Sequence, residues 1–247
     1  MNISSFLLYL LSVWLMVYAV LLGIYFITGF FIEKSTVNLI SLKIQKDKVT
    51  SRQDKIIDIR QSIISLITIS FFLGLGYTLR HYGFSLFKVN TASLIMYLLY
   101  FILSLVLFDT WFYWMHRLLH VQPLFKYVHA WHHRSRFPST WANNSDSILD
   151  NLFLQSYWLI AFLILPFPAS VLFAHKIFDQ ITGMMGHSGY EISGTLPLKY
   201  KFLVAVLHHD QHHSAVKYNF ATHFSWWDRI TGTLHPDYDT KNKMLTR

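Results

Sequence analysis

Residues 5–32 read SFLLYLLSVWLMVYAVLLGIYFITGFFI, a run without a single charge. As a helix this stretch reaches about 40 Å, enough to cross a hydrocarbon layer of about 30 Å with tilt. A cleavable leader would need a basic start, a shorter apolar core and a small-residue cleavage site, so the run reads as a retained membrane anchor. Two more apolar runs follow, about Ile63 to Leu79 and about Thr91 to Phe108. A fourth, Leu152 to Phe178, carries Pro166 and Pro168 in its middle, where proline breaks a helix. Each of its arms is about 14 residues, short for a crossing, which predicts a re-entrant or interfacial hairpin or a pair of short spans. Composition agrees: 53% of the 247 residues are hydrophobic and 14% are charged, too apolar for an ordinary soluble domain.

Between the first two runs, residues 33–60 hold seven Lys/Arg, including Lys43, Lys46, Lys48, Arg52 and Lys55. The positive-inside bias therefore predicts a cytoplasmic connector. Counting spans puts residues 113–150 on the same side, and 187–247 as well if the proline hairpin returns to its own face. The net charge of +8 fits loops facing anionic headgroups, and no nucleic-acid motif accompanies it. The chain has no cysteine, which excludes disulfides, iron–sulfur clusters, thiolate zinc sites and thiol nucleophiles.

The third run continues into FDTWFYWMHRLLH, where His116 and His120 stand at i, i+4 and share a helix face with Asp109 and Tyr113. HAWHH then supplies His129, His132 and His133, and HDQHH, residues 209–213, supplies His209, His212 and His213 in the same spacing. With 14 histidines in 247 residues, one H-x-x-H-H is expected about 0.05 times by chance, and here it occurs twice. On helices each triplet shares one face. A polar face at headgroup level is the bland explanation, but imidazoles packed this densely are costly to desolvate unless something binds them. Imidazole binds borderline transition metals: zinc, iron, copper or nickel. Eight ligands exceed a single tetrahedral site and fit two metals. His187, in GHSGYE, is a candidate ninth ligand, and His208 a tenth or a neighbour that supports the others. His81, His175 and His235 read as ordinary structural histidines.

These segments resemble the fatty acid hydroxylase / sterol desaturase superfamily of integral membrane enzymes. The matching stretches are DTWFYWMHRLLH, HAWHHRSRFPSTW, GHSGYE and HHDQHHSAVKYNFATHFSWWDRITGT, together within about residues 55–240. The nine-residue step from His120 to His129 and the last block are closest to the sterol desaturases. The resemblance implies an all-α integral membrane protein of about three to four transmembrane helices plus the hairpin. A cytoplasmic histidine-rich helical cap would hold a dinuclear metal site. It implies residues 1–55 as anchor and basic connector, 56–240 as catalytic domain and 241–247 as a tail. It further implies two iron ions, replaced by zinc in some purified material, with O2 as co-substrate.

The expected activity is C–H hydroxylation or desaturation of a sterol, fatty acyl or related lipid. The chain has no dinucleotide, haem or flavin motif, so electrons would come from a partner such as cytochrome b5, or a ferredoxin with its reductase. The bacterial inner membrane and the endoplasmic reticulum both fit. A membrane zinc hydrolase and a metal-binding or transport protein are the alternatives; H-E-x-x-H is absent, and the apolar runs carry almost no ionisable residue for a permeation path. Carboxylates should orient the ligand rings, with Asp109 the first candidate and Asp146, Asp150, Glu191, Asp210 and Asp228 behind it. Asp109, Glu191 and Asn219 are the candidate catalytic residues outside the histidines. Asp228 also reads as a structural partner of Arg229 or a helix cap, and Asn219 as a turn residue. The aromatics Trp111, Phe112, Tyr113, Trp114, Trp131 and Trp141 read as interfacial belt, core, or channel lining.

Overall fold

The computed structural model describes residues 2–89 and 91–245. Three long helices dominate: α1 (Ile3–Thr36), α2 (Arg52–His81) and α3 (Leu94–Leu119). All three are long and apolar enough to cross a membrane. Each starts on a side-chain cap, which accepts a backbone N–H that the helix itself cannot pair: Asn2 for α1, Ser51 for α2 and Ser93 for α3. Both α2 and α3 run past the apolar segments that announce them. The polar first turns of α2 stay helical because Ser51 caps them and because Asp58 is buried there, accepting from Ser145 Oγ at 3.0 Å and Arg134 at 3.3 Å. The apolar run thus marks the lipid-depth part of a helix that continues into the cap.

The proline-containing run forms the expected helical hairpin. Its first arm is α4 (Ile148–Leu154) followed by α5 (Ser156–Ile164); the chain turns at Pro166 and Pro168 and returns as α6 (Ala169–Gly186). Helix α6 extends eight residues beyond Phe178, which carries the chain back to His187. Four shorter helices follow: α7 (Leu196–Lys199), α8 (Val206–Ala215), α9 (Trp226–Thr231) and α10 (Tyr238–Leu245). Among the described residues β-structure is limited to two isolated bridges, Lys43 with Tyr190 and Leu203 with Phe224. The protein is an all-α membrane protein.

One core binds the helices. It joins Val13, Val17, Leu21 and Tyr25 of α1 to Leu66, Ile69 and Leu73 of α2, Phe108 of α3, Trp158 and Phe162 of α5, and Val171 and Leu172 of α6. Gly74 lets α1 and α2 approach closely: a Cβ there would lie 3.1 Å from the Trp14 Cα. The outer faces stay apolar, with Leu7, Leu11, Leu15 and Phe30 of α1 and Leu98, Leu99 and Ile102 of α3 all exposed, as lipid-facing surfaces are.

The C-terminal ends of α1 and α3 and the N-terminal end of α2 lie together with residues 120–147 and 187–245. Trp141 fastens this junction. Its ring lies against Gly29, its Nε1–H donates to Glu33 Oε2 at 2.9 Å, and its carbonyl accepts from Tyr25 Oη at 2.7 Å and Ser62 Oγ at 3.1 Å. The connector joins in: Thr50 Oγ1 donates to the Phe137 carbonyl at 2.7 Å, and Gln45 Nε2 to Asp210 Oδ1 at 2.9 Å. Tyr25→Phe, which deletes one buried hydrogen bond, should lower stability by about 1 kcal/mol. Gly29→Leu, which displaces the Trp141 ring, should cost more. Thermal unfolding of the detergent-solubilised variants checks the order, and equal midpoints would refute it.

Candidate metal centre

Nine histidines meet in two neighbouring groups at the junction. In the first, His116, His120, His129, His133 and His212 bring their ring nitrogens within 4.8 Å of one another; in the second, His132, His187, His209 and His213 do the same. Helix α3 supplies His116 and, as its C-cap, His120. Helix α8 supplies His209, His212 and His213, and His187 caps α6.

The expectation that each triplet presents one helix face to a shared two-metal site holds in form for HDQHH, which lies on α8, and is corrected for HAWHH. HAWHH is not a regular helix: a wide turn ends at His129 and a tight 3-10 turn holds His132 and His133. Both triplets are also divided. His129 and His133 join the first group and His132 the second, while His212 joins the first and His209 and His213 the second. Adjacent residues in a turn or helix point in different directions, so each H-H pair straddles the two groups.

The rings meet through Nε2. His116 and His129 approach at 3.1 Å, His133 and His212 at 3.0 Å, and His187 and His209 at 2.8 Å. Three of the far nitrogens are anchored by carbonyls. Nδ1–H of His116 donates to the Phe220 carbonyl, that of His212 to Tyr218 and that of His187 to Gly183, at 2.7–2.8 Å. A carbonyl only accepts, so the proton sits on Nδ1 and Nε2 keeps a bare lone pair. Asp150 Oδ2 lies 2.7 Å from His129 Nδ1, and Asp146 Oδ1 lies 2.9 Å from His132 Nδ1. Burial and the nearby Asp146 raise the Asp150 carboxyl well above the usual carboxylate range, and a cation at the rings would favour its ionised form; with Asp150 ionised, His116 and His129 aim two lone pairs at each other. That arrangement is repulsive unless a cation lies between them. The buried Asp150 Oδ1 has no hydrogen-bond partner, a further deficit of positive charge. The donor set therefore suits metal ions bound by imidazole, with five of the nine rings backed by a carbonyl or a carboxylate.

Burial and the neighbouring rings hold His129, His133, His209, His212 and His213 well below the usual histidine range, and burial chiefly lowers His187 to about 3. All are neutral at neutral pH, the form that binds metal.

The carboxylate expectations divide. Asp150 and Asp146 contact ligand-type rings; Asp109, the first candidate, does something else. Its Oδ1 accepts the backbone N–H groups of Thr222, His223 and Phe224 at 2.8–3.2 Å. Asp228 accepts from Phe220 and Ala221 N–H at 2.9 and 3.0 Å and faces His208 Nε2 at 3.0 Å, while Arg229 pairs with Asp239 instead. His208 thus lies outside both groups. Asn219, with a φ of 60°, donates to the His208 carbonyl at 2.8 Å and accepts from His235 N–H at 2.7 Å. Glu191 accepts from Leu207 N–H at 2.8 Å, satisfying an orphan donor in the first turn of α8, and from Ser193. Asp109, Asn219 and Asp228 therefore fix the 218–224 loop, whose carbonyls orient His116 and His212. His175 is buried against Ser104 Oγ at 2.7 Å, and His81 stacks on Tyr9. A cavity of about 420 Å³ reaches both groups, touching His116, His129, His132, His187 and His209, and continues between Phe108, Phe112 and Phe178.

Residues 101–233 match the family described as fatty acid hydroxylase. The chain belongs to the fatty acid hydroxylase family. Among curated relatives, a methylsterol monooxygenase 1 of Rattus norvegicus is 36% identical over 57% of this chain and 48% of its own length. A delta(7)-sterol 5(6)-desaturase of Gibberella zeae is 31% identical over 69% of this chain and 51% of its own. The lathosterol oxidase of Homo sapiens is 30% identical over 69% and 56%. The chain spans about half the length of the curated relatives it matches. No solved structure matches it significantly.

Two outcomes follow for this fatty acid hydroxylase family member. Asp150→Asn should weaken metal affinity by about 10–100-fold, measured by competition with a chelator; unchanged affinity would remove Asp150 from the site. Metal-free protein should lose stability as pH falls below about 6.5, because the unfolded chain then binds protons that His187, at about 3, refuses when folded. Asp210, which burial raises to about 6, and Asp150, which burial also raises, work in the opposite sense over part of this range but are outnumbered by the depressed histidines. Unfolding midpoints at pH 7.5 and 5.5 test the sign.

Proposed function

We propose that this protein is an O2-dependent lipid oxidoreductase that hydroxylates or desaturates a sterol, fatty acyl or related lipid at a pair of histidine-held iron ions. The observation that carries the reading is the meeting of two imidazole groups, five and four, at the end of a largely apolar cavity. One ion would be held by His116, His120, His129, His133 and His212, the other by His132, His187, His209 and His213. Bound iron would supply what no side chain has, the reduction of O2 and removal of hydrogen from an unactivated C–H bond.

The protein's own contribution is positional. Phe220, Tyr218 and Gly183 carbonyls and the Asp150 and Asp146 carboxylates turn His116, His212, His187, His129 and His132 so that Nε2 faces inward. Phe108, Phe112 and Phe178 wall a lipid away from water. Hydroxylation consumes one O2, two electrons and two protons per lipid and releases one water; desaturation releases two waters. The electrons require a partner, of the cytochrome b5 class or a ferredoxin with its reductase. The names of the relatives favour a sterol. The basic connector, packed against the same end of the bundle as the histidines, supports a cytoplasmic-facing site in either the endoplasmic reticulum or a bacterial inner membrane.

A zinc hydrolase would need a free general base beside the metal, and the nearest carboxylates, Asp146 and Asp150, are engaged by histidine rings. A transporter would place its site within the spans, whereas these groups lie at their ends. The test is metal content on protein from iron-supplemented cells, followed by turnover with labelled O2. Wild type and His81→Ala should hold two metals per chain, and His132→Ala and His212→Ala fewer. Label in the lipid would mark hydroxylation, and loss of two hydrogens desaturation. Equal metal content in all variants would sink the proposal.

A further inference from the structure

The cavity has a second polar region that takes no part in holding the two histidine groups. Lys176 of α6 is 2% exposed and donates from Nζ to Asp179 Oδ2 at 2.8 Å and to Gln155 Oε1 at 3.3 Å. His223 stands opposite. Its Nε2 is buried, has no hydrogen-bond partner, and lies 3.6 Å from Asp179 Oδ1, beyond bonding range. The ring cannot easily turn away, because its backbone N–H is held by Asp109 and Phe108 and Phe178 pack beside it. Lys176, Asp179, Gln155 and His223 all face the cavity that also touches the metal-type histidines.

The separation follows from the helix. Asp179 precedes His187 by eight residues, about 12 Å along the axis. On α3, Phe108 precedes His116 by the same interval. One cavity thus has a histidine end and, about 12 Å away, a polar wall in otherwise apolar surroundings.

A buried Lys–Asp pair is costly to desolvate, and tying α5 to α6 explains only part of it. It leaves unexplained a buried imidazole nitrogen in the cavity wall without a hydrogen-bond partner, while Lys176 Nζ lies over the Trp158 ring at 5.5 Å besides its two hydrogen bonds. Polar groups buried this completely are costly unless something pairs with them.

We infer that Lys176, Asp179 and His223 form a recognition site for a hydroxyl group of the substrate, holding it about 12 Å from the carbon presented at the histidine end. A hydroxyl both donates and accepts. It can donate to Asp179 Oδ1 while accepting from Lys176, or bridge to His223 Nε2. A ketone can only accept, and a hydrocarbon end leaves every group unpaired. Sites built to hydrogen-bond a hydroxyl reject analogues that lack it far more strongly than apolar pockets reject a missing methylene. The assignment rests on the proposed lipid-oxidising function only in calling the ligand a substrate.

The experiment is binding to the detergent-solubilised full chain, read by thermal stabilisation against ligand concentration, with two matched pairs: cholestanol with cholestane, and hexadecanol with hexadecane. Wild type should favour the hydroxylated member of one pair at least tenfold. The responding pair tells whether the hydroxyl belongs to a sterol or to an acyl-type chain. His223→Phe and Asp179→Asn, which conserve bulk, should abolish the preference while leaving hydrocarbon binding and metal content unchanged. No preference in either wild-type pair overturns the inference, as does a preference that survives in both variants. Loss of metal from both variants also overturns it, by making the wall purely structural. A hydroxyl preference without metal-dependent lipid oxidation would sink the function proposed above and leave this assignment standing.

Discussion

Imidazole rings whose Nε2 atoms stand about 3 Å apart are the constraint on which the rest of the molecule is built. Nine rings are brought into one buried space, and burial and neighbouring rings oppose protonation of His129, His133, His209, His212 and His213. Such an arrangement survives only if the rings are pinned from behind and balanced by positive charge in front. The backing is varied: backbone carbonyls for His116, His187 and His212, and carboxylates for His129 and His132. The positive charge is what metal ions bring.

This requirement explains why irregular backbone dominates the cap while the membrane-depth part is plain helix. A straight helix shows one stripe of side chains to one direction and cannot close a cage alone. The turns over 125–134 and the 218–224 loop supply the other directions. Buried polar side chains then hold the loops. Asp109 reaches three consecutive N–H groups, Asp228 two, and Asn219 takes a left-handed conformation that few other residues tolerate. The long helices serve as rigid posts, and Trp141 and Glu33 join the post of α1 to the cap.

Much of this is legible from residue types. Uncharged runs marked the three long helices, two prolines marked the hairpin turn, and the repeated triplet marked the metal-type centre. Helix ends were less legible, because polar turns such as 52–60 stay helical through capping and tertiary bonds that hydropathy does not register. The role of Asp109 was misread for a related reason. Its position two turns before His116 suggested a ring partner, but its carboxylate points across the bundle to a loop more than a hundred residues later. Asp150 carries the ring contact because Ser147 starts α4 just where His129 arrives, a long-range coincidence. His223 stands alone in NFATHFS, outside any spacing pattern, and only the folded cavity distinguishes it.

The division of each triplet has a consequence for assembly. His132 and His133 are covalent neighbours that serve different groups, and so are His212 and His213. An ion captured by one group fixes the backbone of both segments and thereby aligns the rings of the other. The entropic cost of ordering is largely met on the first capture, so the second proceeds more tightly. The centre would fill cooperatively, passing from empty to doubly loaded with little of the singly loaded form.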